Sequence, residues 1–247
     1  KAGTGCCGPR SSELVLQALR TRPKSPVDLP LTRVEPKLTP EKAAELGIKE
    51  KVGVFTTTYA AGQPRVTNIH RIADLARGMV IQPNESFSVN ERIGKRTKEK
   101  GFVVAGVIQD GMLAEDVGGG VSQFATTLFN AAFFAGLDFG EYQSHSLYFS
   151  RYPRGREATL GFPHPDLVVK NSTPYGVLVW PTYTSTTITV TLYSTKHAEA
   201  VQSGQTETPR GPCTRVVTQR TRTYPDGTKK TDSVSALYRP EEGVNCP

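Results

Sequence analysis

Gly118-Gly119-Gly120-Val121-Ser122-Gln123-Phe124-Ala125-Thr126-Thr127-Leu128-Phe129-Asn130-Ala131-Ala132-Phe133-Phe134-Ala135-Gly136 decides the fold. Three glycines permit backbone conformations closed to other residues, and a glycine-rich turn opening into a helix aims free amide N–H groups at one spot. Residues 122–135 contain no proline and Gly136 suits a helix stop, so the spacing predicts a helix of roughly four turns over about 122–135. Phe124, Ala125, Leu128, Phe129, Ala131, Ala132 and Phe133 make it apolar nearly all round, which is the pattern of a buried helix. Gln123, Thr126, Thr127 and Asn130 break that pattern at helical spacing and share one narrow face.

Ser122 opens the helix beside this face and has two readings. Its oxygen is an N-cap that accepts a backbone N–H bond, or it is a nucleophile or part of an anion site served by the helix N-terminal amides. Spacing does not separate them.

Outward from the helix, 247 residues suffice for one medium domain with appendages or for two small ones. No apolar run reaches about 18 residues, so no segment reads as a membrane span. The sequence opens with Lys1-Ala2-Gly3-Thr4, without initiator methionine or signal peptide, and is expected to be a piece of a longer, membrane-anchored protein. The formal net charge of +7 is spread along the chain, which suits polyanions without giving a nucleic-acid signature. Acidic envelope polymers therefore rank above DNA, and no nucleic-acid partner is expected.

Cys6 and Cys7 are adjacent, and Cys213 and Cys246 are distant. Metal-ligand spacings are missing, so disulfides are expected and neither a metal nor a cofactor is. Pairing Cys213 with Cys246 would staple a C-terminal hairpin and leave Cys6 with Cys7, though crossed pairing stays open. Either arrangement favours an oxidising, exported location at the cell envelope or surface.

Along the chain, residues 11–20 read as a short helix with Leu16 and Leu19 inward. Pro23, Pro26, Pro30, Pro36 and Pro40 mark an extended connector, followed by a short helix over 40–46. A strand over 52–59 precedes a helix capped by Asn68 that buries Ile69, Ile72, Ala73 and Ala76, with His70 as a polar surface contact. Residues 86–90 read as a strand, 95–100 as a solvated charged loop, and Asp110-Gly111 as a hairpin turn. Residues 144–152 look extended; 166–170, 176–180 and 187–193 read as an antiparallel meander; 215–224 and 228–238 read as a last hairpin. The expected fold class is α+β, an antiparallel sheet packed on the 122–135 helix with a C-terminal β-hairpin appendage. Its expected divisions are 1–49, a preceding domain's tail plus connector; 50–195, the main domain; and 196–247, the stapled hairpin.

The candidate chemistry gathers Ser122, His145, Arg151, Arg154 and Arg156. A serine hydroxyl needs a base to attack, and His145 follows the helix within a polar segment. Arg151 or Arg156 suits bidentate capture of a carboxylate, with Gly119, Gly120, Gln123 and Thr126 completing the substrate-facing set. Glu141, Glu157 and Asp166 are each candidates to orient His145. The plainer alternative is a structural histidine between two serines.

These residues resemble the VanW domain. The match runs through Gly118-Gly119-Gly120-Val121-Ser122-Gln123, Thr126-Thr127-Leu128-Phe129-Asn130-Ala131-Ala132, His145-Ser146 and Tyr152-Pro153-Arg154-Gly155-Arg156-Glu157-Ala158-Thr159. Phe55-Thr56-Thr57, Asn68-Ile69, Pro83-Asn84-Glu85-Ser86-Phe87-Ser88-Val89-Asn90 and Asp166-Leu167-Val168-Val169-Lys170-Asn171 extend it over about 50–195. The resemblance implies an exported, cell-wall-associated protein of the kind linked to vancomycin-resistance clusters, some members being regarded as peptidoglycan L,D-transpeptidases that act through a cysteine. That cysteine falls on Ser122, so the resemblance carries over a pocket with a weaker nucleophile. Two functions follow as expectations: acyl transfer on a stem peptide by Ser122 and His145, or noncatalytic capture or structural support at the wall.

Overall fold

The computed structural model describes residues 3–8, 10–21, 26–34, 39–109 and 112–246. It divides into two compact units, Lys1–Glu45 and Leu46–Pro247. In the first, strands β1 (Gly3–Gly5) and β2 (Thr32–Val34) pair antiparallel, and two helices, α1 (Ser11–Thr21) and α2 (Pro40–Glu45), complete the described elements. Leu16 and Leu19, expected inward, are exposed, because a unit this small has little apolar surface to set against a helix face. Cys6 and Cys7 form a disulfide within it.

The second unit runs β3 (Glu50–Thr58), α3 (Pro64–Ala76), β4 (Met79–Ile81), β5 (Ser86–Ser88), α4 (Val89–Ile93), β6 (Val104–Gln109), β7 (Met112–Val117) and α5 (Ser122–Phe134). It continues through β8 (Asp138–Phe139), β9 (Val168–Lys170), β10 (Val177–Tyr183), β11 (Thr187–Ser194), β12 (Glu199–Arg210), β13 (Cys213–Thr223) and β14 (Lys229–Tyr238). The fold is α+β with antiparallel sheets. One orders β3-β11-β10-β4, another β5-β9-β8, a third β12-β13-β14, and β6 pairs with β7 alone. The 166–170 strand thus joins a different sheet from the two strands that follow it. Asp110 and Gly111, the expected hairpin turn, lie outside the described residues, although Gln109 stands opposite Met112.

Helix α5 is the centre of the core, with eleven buried residues from Gln123 to Phe133. It presses on β3 so closely that a Cβ on Gly53 would lie 2.2 Å from the Ala131 carbonyl oxygen. The helix stops where the sequence says it should. Gly136 takes φ +75°, its N–H reaches the Phe133 carbonyl at 3.2 Å, and Leu137 N–H reaches Ala132 at 3.0 Å, the paired bonds of a Schellman ending. Arg220 then donates to the Phe133 and Leu137 carbonyls at 2.9 and 2.8 Å, and Arg222 to Gly136 at 3.1 Å, so two buried guanidiniums serve the negative end of the helix.

Those arginines come from β13, whose partner β14 was expected and whose other partner β12 was not. Strand β12 is exposed along most of its length and carries Gly204 and Pro209, so it lacks the alternation that betrays a strand. Cys213 is bridged to Cys246.

Two local readings change. Asn68 does not cap its helix: Pro64 supplies the first turn, and Asn68 lies buried one turn on. There its amide donates to the Val103 and Gly119 carbonyls, both at 2.9 Å, while its oxygen accepts the Val103 N–H. Arg96, read as part of a solvated loop, is buried, donating to Asn90 at 2.5 Å and to the Gly161 carbonyl. Burial pulls its guanidinium down to about 10, with Asp166 opposing.

Candidate functional site

The polar face of α5 has a definite partner. Asn130 donates to the Arg156 carbonyl at 2.9 Å, Thr126 exchanges two bonds of 3.1 Å with Ala158, and Ser122 Oγ accepts the Leu160 N–H at 3.1 Å. Four residues of helix rise about 6 Å and two residues of extended chain span about 6.6 Å, so side chains at i, i+4 and i+8 meet every second residue of 156–160. Gln123 and Thr127 face the other way, to the Thr58 carbonyl at 3.2 Å and the Thr57 hydroxyl at 2.7 Å. Ser122 is therefore no N-cap. Val121 holds that position, without a side-chain cap, and the serine hydroxyl is turned across to the neighbouring chain.

Laying 156–160 on the helix places Glu157 between two anchored residues, in the interior. Its carboxylate accepts His145 Nδ1–H at 2.5 Å on one oxygen and the Tyr238 hydroxyl at 2.5 Å on the other. Tyr238 in turn accepts the Gly155 N–H at 2.8 Å. Burial, reinforced by the adjacent Glu157 charge, drives the Tyr238 phenol upward, so it stays a donor. The His145 ring lies almost parallel to Tyr152, with centroids 5.2 Å apart, and edge-on to Phe149 at 5.3 Å. With Nδ1–H held by the carboxylate, Nε2 is the ring atom free to accept a proton. Of the three acids read as possible orienters, Glu157 is the one at His145. Glu141 pairs with His164, and Asp166 with Ser88 and the Asn90 N–H.

Ser122 and His145 line one cleft of about 1080 Å³. In this structure Ser122 is engaged by Leu160, and no hydrogen bond joins it to His145. Gly120, Arg65, Arg151, Tyr152, Glu115, His164 and Arg239 also line it. Gly120 takes φ +89°, and a Cβ there would sit 2.6 Å from that of Arg65, so the turn lies flat under the arginine. Among the described residues the amides of Gly120 and Ser122 have no acceptor, while those of Gly119, Val121 and Gln123 do. Two free donors thus flank the hydroxyl.

The cleft cations differ from those expected. Arg151 lines it, stacked over Phe149 at 4.4 Å and Tyr152 at 5.0 Å. Arg156 does not: its guanidinium packs over Phe134 at 4.9 Å and Phe133 at 5.3 Å, and burial lowers its pKa. Arg154 pairs with Glu207. Arg65, which sequence reading missed, lines the cleft beside Gly120. One nitrogen donates to Gln123 at 2.9 Å, Nε is buried without a partner, and burial lowers its pKa. Its signal was Pro64-Arg65 at a helix start, legible only once that helix is placed there. Gln123 and Thr126 are fully buried and act by holding Arg65 and residue 158, while Gly119 packs against the Ala105 carbonyl.

The fold and site define an α+β domain that exposes a hydroxyl, at the start of a buried helix, to a cleft containing a carboxylate-braced histidine. Residues 64–193 match the family described as VanW like protein, and the chain belongs to that family. It is 32% identical over 189 residues to the uncharacterized protein YoaR of Bacillus subtilis (strain 168), an alignment covering 76% of this chain and 61% of that relative. The chain thus spans less than two thirds of that relative's length. No solved structure matches.

Proposed function

We propose that this domain works at the bacterial cell wall as a serine acyl transferase on peptidoglycan stem peptides. Family membership supports the cell-wall association. The observation that carries the chemistry is the Tyr238–Glu157–His145 relay ending in the cleft that Ser122 lines. Ser122 Oγ adds to the substrate carbonyl carbon while His145 Nε2 takes its proton. The Gly120 and Ser122 amides serve the developing oxyanion, and Arg65 or Arg151 holds a substrate carboxylate. The carbon–nitrogen bond then breaks, the departing amine takes the proton from His145, and an acceptor amine or water releases the acyl group by the reverse route.

A noncatalytic reading is favoured by one observation, the Ser122 hydroxyl turned to Leu160 and not to His145. It keeps the same cleft and arginines for holding wall peptide. Intact mass after incubation with tetrapeptide-stem muropeptides, for the parent, Ser122→Ala and Ser122→Cys proteins, decides between them. An adduct or cross-linked product that vanishes in the alanine variant is the expected result. Binding without any adduct in all three would overturn the transferase in favour of capture.

A further inference from the structure

A second depression, of about 500 Å³, opens beside the cleft. Gln143 and Ser144 line both. Segment 142–146 is tied along β14: Ser235 N–H donates to Tyr142 Oη at 3.0 Å, Leu237 N–H to Ser144 Oγ at 3.4 Å and Arg239 N–H to the Ser146 carbonyl at 2.7 Å. These are alternate residues of β14 and its end, so the wall between the two depressions is held by a strand edge. The outer depression is floored by Ser235, Ala236 and Leu237 and flanked by Arg210 and Arg215.

Charge is one-sided there. No carboxylate lines this depression, and neither arginine has an ion-pair partner among the described residues. Glu207, on the strand next to Arg215, is already held by one guanidinium edge of Arg154, Nε at 2.7 Å and Nη2 at 3.1 Å. Arg215 lies on the outward side of β13, opposite Thr208 and Leu237, so its charge contributes nothing to the core. The guanidiniums thus stand ready for a planar anion.

We infer that Arg210 and Arg215 form a second subsite, contiguous with the Ser122 cleft, that binds a carboxylate of the same extended stem peptide. This rests on the reading of the cleft as a peptide site. A peptide lying across Gln143 and Ser144 places its reacting amide by Ser122 and an acidic group beyond the wall. The subsite selects acidic peptides over neutral ones.

The test uses Ser122→Ala protein, so that turnover does not enter, and a fluorescein-labelled stem tetrapeptide with free carboxylates, followed by anisotropy. Arg210→Ala with Arg215→Ala is expected to raise Kd at least tenfold at low salt and to flatten its salt dependence, with circular dichroism unchanged. Arg210→Lys with Arg215→Lys recovers part of the affinity, and a peptide whose carboxylates are all amidated binds both proteins equally weakly. An unchanged Kd in the double alanine variant overturns the subsite while leaving the cleft reading standing. Absence of peptide binding to the Ser122→Ala protein itself sinks the cleft reading and the subsite together. Binding of an anionic polyuronate through these arginines, with no effect on the peptide, also overturns it.

Discussion

His145 Nδ1 stands 2.5 Å from Glu157 Oε2, with both groups buried and the second carboxylate oxygen taken by Tyr238. Such a carboxylate fixes the tautomer and supports the imidazolium formed when Nε2 takes a proton. Glu157→Gln is expected to keep the fold, since the amide oxygen still accepts one bond, but to lower the rate of the proposed acyl transfer by on the order of 10³- to 10⁴-fold. Tyr238→Phe, which leaves the His145 bond in place, should cost far less. Nitrogen chemical shifts of the His145 ring give a readout that needs no substrate: the Nδ1–H form should dominate in the parent and lose that dominance in the glutamine variant. Equal tautomer populations in the two proteins would show that Glu157 does not orient the ring.

His164 and Glu141 make the second acid–imidazole pair, this one at the solvent-exposed margin of the cleft. The His164 hydrogen bond, then the Asp166 N–H, hold Glu141 below its usual carboxylate range; the Glu141 hydrogen bond and charge hold His164 above the usual imidazole range. A raised histidine contributes fully below its unfolded value of 6.5 and loses that contribution as pH rises through its folded value. A lowered carboxylate contributes above 4.5 and loses it as pH falls through its folded value. The pair is therefore complete between 4.5 and 6.5. The His164 ring-proton titration midpoint should drop in Glu141→Gln, and an identical midpoint would dissolve the pair.

Asp232 is the shared counter-ion of Arg220 and Arg222, accepting from each at 2.7 Å. Burial by itself raises this carboxyl, but the hydrogen bonds and charge of Arg220, with Arg222 and Lys230, bring it below its usual range. Asp232→Asn removes the shared counter-charge of two buried cations that also cap α5, leaving Arg222 with Asp138 at 2.8 Å and Arg220 with none among the described residues, and is expected to destabilise by about 3 kcal/mol near neutral pH. The depressed pKa means the parent's advantage exists above 3.8 and fades as pH falls through the folded value. Urea unfolding at pH 7 and pH 3 should show the gap narrowing in acid. A gap below about 1 kcal/mol at pH 7 would mean that solvent already screens the pair.

The helix at the centre was legible because one signal dominated: continuous apolarity, a proline-free run and a glycine stop all agree over 122–135. Its polar residues were legible, but not their division, Thr126 and Asn130 toward 156–160 and Gln123 and Thr127 toward β3, since 156–160 contains no strand pattern and is ordered only by what it touches. That is also why 144–152, which looked extended, is irregular chain broken by bends and a turn, with His145 in it. Ser122 and His145, singled out by residue type, line one cleft. Arg65 was missed and Arg156 misplaced for the same reason, that charge says nothing about which side of an extended segment a side chain takes. Arg156 points to the aromatic cluster of Phe133 and Phe134, and Glu157, one residue on, turns to His145.

The glycine turn that opens α5 gives the sharpest steric prediction. A Cβ on Gly119 would stand 2.2 Å from the Ala105 carbonyl oxygen and 2.7 Å from that of Gly106, both backbone atoms of β6. Neither side yields by a rotamer change, so Gly119→Ala must push β6, a wall of the cleft, away from the start of α5. The expected cost is about 2–3 kcal/mol, or roughly 4–12 °C in Tm for a domain of this size. Gly62→Ala is the control: that glycine has φ +76° with nothing within 4 Å of its Cβ, so only the backbone penalty of about 1 kcal/mol applies. Thermal unfolding of the two variants side by side separates contact from conformation. If Gly119→Ala falls no further than Gly62→Ala, β6 is not pressed against the turn, and the cleft has a looser wall than this geometry requires.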